Sequence, residues 1–309
     1  MPYIIDLHIH SRDCSDGRMN LDEIFQEAKK RGVDLLSITD HDSIDCQEPA
    51  EILAHEYGIR YIRGLELNVS YSHPPYKDSK PISLDFLGYH YDIHNPALRN
   101  KLTELREYRE KRAREILEKI NIELSKENRE KFTAKDIEAI QRSVEGAFGR
   151  PHIANYMVEK GIVANKQEAF DKYLTKCNVP KMPLSLSEAS SLVKGAGGKL
   201  MIAHPNDPNG TSLVSFTSSL DDQLKIIEEG ILPYIDGIEC WHSRHDQNTV
   251  RTYLRFAKKK GLMVTGGSDC HQQPVIMGTV SVPVYVAEQF GIDHHHLDAG
   301  NKKNRKNER

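Results

Sequence analysis

Histidines and carboxylates recur along this chain at positions where they could bind divalent metal ions. The first pair, His8 and His10, closes an apolar segment that begins at Tyr3. Residues two apart in a strand point to the same side, so both imidazole rings would face one site while Ile9 faces away. Neutral imidazole is a common ligand of zinc and related metals. The pair alone is weak evidence, because a surface His-x-His arises easily by chance.

Further apolar segments end in residues that can bind a metal, and this repetition strengthens the case. These residues are Asp40, His41, Glu66, His204, Asp269 and His271. A capping histidine or a solvated carboxylate could explain any one of them, but hardly all of them together. A set this large exceeds what one ion needs, so the sequence predicts two or three ions. Imidazole combined with carboxylate suits Mn, Fe(II) or Zn.

Helical segments separate the apolar ones and would position these side chains. Asn20, followed three residues later by Glu23, predicts a capped helix that ends at Gly32. Strands that alternate with helices in this way predict an α/β fold with a parallel sheet or barrel. Functional groups in such folds collect at the carboxyl ends of the strands. We therefore expect the candidate ligands to meet in one site.

A fourth predicted strand, Ile82 to Gly88, carries Asp85 among apolar residues. Burying a carboxylate is costly unless it is paired or bound to a metal, so Asp85 is another candidate ligand. The alternative is an edge strand with this side chain in water.

The charge and the apolar spacing of the chain change after Asn95-Pro96. Residues 99–135 carry 12 basic and 8 acidic side chains, a net charge of +4, with leucine and isoleucine at helical spacing. We expect a helical insertion domain over 98–185 between two halves of one α/β domain, 1–97 and 186–287. A polar tail, 288–309, is expected to be disordered. The charge run is typical of a solvated helix face, although a phosphate-bearing substrate could use it.

Within this insertion, the run Gly149-Arg150-Pro151-His152 predicts a turn that begins a helix. Arg150 and His152 would then lie at a helix N-terminus, which suits a phosphate group. A surface capping turn without a ligand explains the same residues equally well.

Composition excludes several classes of protein. The 309 residues include 42 basic and 45 acidic side chains, a net charge of −3, so no overall positive charge favours nucleic acid. No segment is apolar over the length of a membrane span. The five cysteines are scattered without a Cys-x-x-Cys pair, which argues against a disulfide framework and a zinc ribbon. We expect a cytoplasmic protein with no membrane partner and no stable nucleic-acid complex.

Several ordered motifs over residues 3–280 resemble the PHP (polymerase and histidinol phosphatase) family. They are DLHIHS with SDG, ITDHD, GLE, IAHP and GGSDCH. The GRPHIA turn and the helical insertion are similar to one subgroup, the 3′,5′-nucleoside bisphosphate phosphatases, some of which also trim short RNA from the 5′ end.

This resemblance implies a distorted (β/α)7 TIM-like barrel with a trinuclear metal site. The first ion would take His8, His10, Glu66 and Asp269. The second would share Glu66 with the first and add His204, and the third would take Asp16, His41 and His271.

Two departures from the family pattern leave alternatives open. Asp16 follows His10 by six residues where the family usually has five, so Asp13 is a second candidate. Asp85 stands where the family usually has a histidine, and a carboxylate there would favour harder ions. His90 is a further candidate.

The implied activity is that of a phosphoesterase in which metal-bound hydroxide attacks phosphorus in line. Arg150 and His152 would bind a phosphate, while Asp40 would orient a ligand. Either His242 or His245 would assist the leaving group. We expect a small phosphorylated substrate, a nucleotide with a 3′-phosphate or a short oligonucleotide. The alternatives are a histidinol phosphate phosphatase, a C–N hydrolase, or a structural PHP module without activity.

Overall fold

The computed structural model describes residues 3–76, 78, 80–142, 149–271 and 274–293. These residues form eight strands and ten α-helices, joined in places by short 3-10 and π-helical turns. The strands are β1 (Ile4–Ile9), β2 (Val33–Ile38), β3 (Arg60–Tyr61), β4 (Gly64–Tyr71), β5 (Ile82–Tyr89), β6 (Lys199–Ile202), β7 (Gly237–His242) and β8 (Met263–Gly267). The helices are α1 (Leu21–Arg31), α2 (Gln47–Tyr57), α3 (Pro96–Lys126), α4 (Ala134–Arg142), α5 (Arg150–Glu159), α6 (Lys166–Ala169), α7 (Leu186–Gly195), α8 (Leu220–Ile226), α9 (Gln247–Lys260) and α10 (Tyr285–Glu288).

The strands form two sheets, β1-β2-β3 and β4-β5-β6-β7-β8. Pairing is parallel throughout the first sheet and from β6 to β8, but β5 runs antiparallel to β4 and β6. The expectation of a wholly parallel arrangement is therefore wrong. The residues described between β4 and β5 contain no α-helix, so the chain turns back directly instead of crossing over.

Two isolated bridges join the sheets at the ends of their strands. One pairs Ile9, the last residue of β1, with Cys270 beyond β8. The other pairs His41, beyond β2, with Glu66 in β4. These bridges bring the predicted ligand segments of both sheets side by side.

The long helix α3 contributes to two separate hydrophobic cores. Leu98 and Leu105, in its first half, pack with the strands of the larger sheet. Ile116 and Leu117, in its second half, pack in a distinct cluster with residues of α4, α5 and α6. The helical segment that follows β5 thus has a core of its own.

Cys14 and Cys46 form a disulfide that the cysteine spacing did not predict. The two residues stand 32 positions apart, and no spacing rule connects them. They meet because β1 and β2 pair in parallel, which places the loops after both strands at one edge of the sheet. Cys177, Cys240 and Cys270 are free and buried.

The first residues of the predicted polar tail pack on the fold. The Gln289 side chain hydrogen-bonds to both backbone groups of Val264, at 3.0 and 2.9 Å, and Phe290 packs edge-on against Tyr89. Residues 294–309, the rest of that tail, lie outside the described part. Among the helices of the described segments, none is both long enough and apolar enough to cross a membrane.

Candidate metal centre

Four buried donor groups converge where β1, β4 and β8 meet. The Nε2 atoms of His8 and His10, from the end of β1, lie 3.1 Å apart. Oε2 of Glu66 is 3.3 Å from the His8 Nε2 and 3.1 Å from the His10 Nε2. Oδ1 of Asp269 is 3.4 and 3.5 Å from the same two atoms. The structure therefore brings together the residues predicted to share the first ion.

A second group of donors extends from the other oxygen of Glu66. Its Oε1 lies 3.0 Å from Nε2 of His204, and Asp85 completes a cluster of three donors within 4.8 Å of one another. Asp85 is only 5% exposed because β5 lies inside the larger sheet, so the edge-strand alternative is wrong. Its carboxylate accepts hydrogen bonds from the Asn68 amide and the Thr211 hydroxyl. Two carboxylates and one imidazole make this group rich in hard oxygen donors.

A third group lies on the outer side of His10. Oδ1 of Asp16 is 3.3 Å from Nε2 of His271 and 3.9 Å from Nε2 of His41. Asp13 instead accepts a hydrogen bond of 2.8 Å from the first backbone N–H of α1. His90 is exposed on the surface after β5. Of Asp13 and Asp16, the structure thus places Asp16 beside the other candidate ligands, and His90 lies away from them.

Glu239, in the middle of β7, supports the first group from behind. Its Oε1 accepts a hydrogen bond of 3.0 Å from Nδ1 of His8, and its Oε2 accepts one of 2.7 Å from the backbone N–H of His204. A carboxylate on Nδ1 sets the imidazole tautomer and turns Nε2 toward the site. We did not predict this role for Glu239. Like Asp85, it is an acidic residue between two apolar ones within a strand, and that pattern could have identified it.

Asp6 ties β1 to the loop after β8. Its carboxylate accepts hydrogen bonds from the backbone N–H groups of Ser268 and Gly278, both at 2.8 Å. Gly267 allows the close approach, since a Cβ there would lie 2.4 Å from the His8 backbone nitrogen. The ligand-bearing ends of β1 and β8 are thereby held in fixed positions.

The electrostatics of the centre favour added positive charge. Burial alone would lower the pKa of His8, but the charges of Glu239, Glu66 and Asp269 raise it well above its ordinary value. Burial would also lower the pKa of His204, but the hydrogen bond and the charge of Glu66 raise it to about 9. Against the effect of burial, the surrounding histidines hold the pKa values of Glu66 and Asp269 well below the usual range. A divalent cation would satisfy this donor set.

Unpaired polar atoms test whether the residues fit a metal. Buried atoms without a hydrogen-bond partner are rare, and each costs about 1–3 kcal/mol. Within the described structure, Oε2 of Glu66 and Oδ1 of Asp269 are buried and have no such partner. These are the oxygens that face the Nε2 atoms of His8 and His10. The residues present therefore fit one or more bound divalent ions.

The three residues predicted to assist catalysis occupy different places. The buried carboxylate of Asp40 accepts two hydrogen bonds of 2.6 Å from Ser11, so it holds the loop after β1. Nε2 of His242 lies 3.4 Å from Oδ2 of Asp269, beside the donors of the first group. Both ring nitrogens of His245 are engaged by backbone groups, at 3.0 and 3.4 Å, so this ring holds the loop instead of facing the site.

The two residues predicted to bind phosphate begin α5. Arg150 lies over the ring of Phe170, with its guanidinium carbon 5.6 Å from the ring centroid. Nδ1 of His152 accepts a hydrogen bond of 3.2 Å from the backbone N–H of Gly149. Burial lowers the pKa of His152, while the charge of Asp16 opposes that change. The start of α5 therefore interacts electrostatically with the third donor group.

A cleft of about 420 Å³ opens over the donor groups. Asp207 and Arg244 also line it, and sequence analysis did not identify either residue. Both lie in loops that follow strands, which is the only sequence signal that could have indicated them. The other lining residues include His41, Glu66, Asp85, His204, Asp269 and His271.

Comparisons with known proteins identify the family of this chain. The PHP domain family matches residues 6–176. A 3′,5′-nucleoside bisphosphate phosphatase of Chromobacterium violaceum is 30% identical over 283 residues, which cover 86% of this chain and 87% of that protein. A 5′-3′ exoribonuclease of Haemophilus influenzae is 29% identical over 276 residues, covering 86% and 89%. The crystal structure of a predicted metal-dependent phosphoesterase from Bifidobacterium adolescentis superposes with a TM-score of 0.74 at 26% identity, covering 95% and 98%. With its clustered histidines and carboxylates, this chain belongs to the PHP domain family of metal-dependent phosphoesterases.

Proposed function

We propose that this enzyme hydrolyses the 3′-phosphate of a 3′,5′-nucleoside bisphosphate, with a short oligonucleotide as the second candidate substrate. One observation carries the proposal: residues of all three donor groups line a cleft in a chain that is 30% identical, over 86% of its length, to a bisphosphate phosphatase. The similarity to a 5′-3′ exoribonuclease supports the oligonucleotide. In both cases the substrate is a small phosphorylated molecule, and we expect no stable nucleic-acid complex.

The proposed cofactors are two to three divalent ions of Mn, Fe or Zn. Glu66 would serve two of the three donor groups, because its two oxygens face different histidines. When bound, such ions lower the pKa of water and neutralise phosphate oxygens. Nε2 of His242 would supply a proton to the leaving oxygen, and Arg150 with His152 would hold the phosphate that is not cleaved.

We further propose that the two sheets form the distorted (β/α)7 barrel typical of the family, with residues 98–185 as a helical insertion domain. The bridges from Ile9 to Cys270 and from His41 to Glu66 support a barrel, since they join the sheets at both sides. The separate core around Ile116 supports an insertion that packs independently.

The test is phosphate release from adenosine 3′,5′-bisphosphate by Mn-loaded protein. Histidinol phosphate and a short 5′-phosphorylated RNA are assayed in parallel, with His10→Ala as the inactive control. Turnover of the bisphosphate that is lost in the variant would support the site and the substrate together. Turnover of the RNA alone would support the proposed site but make the oligonucleotide the substrate. If metal-loaded protein hydrolyses none of the three compounds, the substrate assignment is refuted.

A further inference from the structure

The side chain of Arg244 lines the cleft over the metal centre. Among the described residues that line the cleft, no other is a lysine or an arginine. Arg244 follows β7 by two residues, and its side chain is 43% exposed. Four of the lining residues, Glu66, Asp85, Asp207 and Asp269, are acidic. A phosphate group that enters this cleft therefore meets Arg244 as the permanent cation supplied by the chain.

Asp207 holds Arg244 at the edge of the cleft. Its Oδ2 lies 2.5 Å from Nη1 of the guanidinium, and the aspartate itself is 1% exposed. The backbone N–H of Asn209 donates to its other oxygen at 2.9 Å. Gly210 leaves room for the Asp207 carboxylate, since a Cβ at Gly210 would lie 2.6 Å from its Oδ2. A buried carboxylate held in this way is built to orient one charged partner.

The guanidinium also reaches the metal centre. The same Nη1 lies 3.8 Å from Oδ2 of Asp269, the residue whose other oxygen faces His8 and His10. Both ion pairs of Arg244 that the structure describes use this one nitrogen. A guanidinium presents five N–H donors in a planar fork that matches phosphate oxygens. Nη2 and Nε thus provide donors for a ligand in the cleft.

We propose that Arg244 is a catalytic residue that contacts a non-bridging oxygen of the phosphoryl group being transferred, and that Asp207 is its positioning residue. The inference rests on the proposed function for its substrate. In hydrolysis, phosphorus forms a bond to the oxygen of a water that gives up a proton, and it loses its bond to the ester oxygen, which takes up a proton and leaves as an alcohol. Negative charge spreads over the non-bridging oxygens in the transition state, where an oriented guanidinium is most effective.

Kinetics of Arg244→Ala, Arg244→Lys and Asp207→Asn test this proposal. We expect Arg244→Ala to lower kcat by about 100-fold, the typical effect of removing one oriented donor. Lysine should restore only part of the rate, since it lacks the planar fork. Added guanidinium ion should raise the rate of Arg244→Ala but not that of the wild type. Asp207→Asn should lose about 10-fold, as is usual for a residue that supports another.

Metal content, measured by inductively coupled plasma mass spectrometry, separates a catalytic role from a structural one. The proposal requires unchanged metal content in all three variants. Arg63→Ala is the matched control, because it removes an arginine that pairs with Glu51 on α2 at 2.7 Å, outside the cleft. An unchanged kcat in Arg244→Ala, or a loss that parallels loss of metal, would overturn the proposal.

A calorimetric titration of Mn-loaded protein with inorganic phosphate keeps this inference separate from the proposed substrate. Weaker phosphate binding by Arg244→Ala than by the wild type supports the role of Arg244, even if no nucleotide is hydrolysed. Equal affinities overturn it. Failure of the wild type on every nucleotide would refute only the proposed function.

Discussion

Breaking the disulfide between Cys14 and Cys46 should destabilise the fold substantially. The bond joins the loop that carries Asp16 to the N-terminus of α2. A cross-link restricts the unfolded chain, and its effect grows with the number of residues it encloses. For a separation of 32 residues, the chain-entropy relation gives about 12 cal/mol/K, or about 3.7 kcal/mol at 25 °C.

Urea unfolding with and without a phosphine reductant measures this difference. The chain has a single tryptophan, Trp241, in β7, so its fluorescence follows the α/β part of the molecule. Circular dichroism at 222 nm follows the helices in parallel. Double replacement of Cys14 and Cys46 by serine should reproduce the effect of the reductant. Cys177→Ser removes a free buried thiol from the helical segment and keeps the disulfide, so the reductant should destabilise this control as much as the wild type.

Two results would refute this argument. One is a free energy of unfolding that changes by less than about 1 kcal/mol on reduction, since the chain-entropy relation requires several times more. The other is full alkylation of both cysteines in the unreduced, unfolded protein, which would show that the bond does not form.

Three further changes probe separate parts of the molecule. Ile116→Ala, in the core of the helical segment, should lower the free energy of unfolding by about 2–5 kcal/mol in circular dichroism melts, because it leaves a cavity. Hydrogen bonds from Thr133 and Tyr156 lower the pKa of Asp136, so the stabilisation they give is present above pH 3.8 and is lost as the pH falls below it. Circular dichroism from pH 6 to 2 should therefore show acid loss of helix that Asp136→Asn reduces. Asp85→His should raise the ratio of bound Zn to bound Mn in a competition measured by mass spectrometry, because imidazole is the softer ligand.

Each of these changes has its own contrary outcome. Loss of bound metal in Ile116→Ala would contradict an independently packed helical core. Identical acid profiles for Asp136→Asn and the wild type would assign the pH dependence to other groups. An unchanged metal ratio in Asp85→His would place Asp85 outside the coordination sphere.

Local patterns were sufficient to predict many of the elements. Asn20 and Glu23 form the reciprocal hydrogen bonds expected of a capped helix, and Gly32 ends that helix with a φ of 73°. Such signals lie within a few residues of one another, so a single sequence contains them completely. The paired residues His8 and His10 belong to the same category, because strand geometry alone places them on one side.

Contacts between distant segments could not be predicted in this way. The antiparallel direction of β5 depends on which strands it joins, and Cys14 meets Cys46 only because two strands pair. The assignment of Asp16 over Asp13 likewise depends on where His41 and His271 lie after folding. Apolar and polar patterns along the chain do not contain this information.

The candidate ligands of the metal centre were easier to predict than the residues that hold those ligands in place by hydrogen bonds. Candidate ligands stand at strand ends, where a polar residue interrupts an apolar pattern. Asp6 and Glu239 lie within strands and bind the backbone or ring of His8 and His204 from the buried side. Backbone hydrogen bonds of 2.9 and 3.1 Å, from Asp269 to His8 and from His10 to the Cys270 carbonyl, join the same segments. These protein contacts hold together the strand ends that carry the candidate ligands of the metal centre.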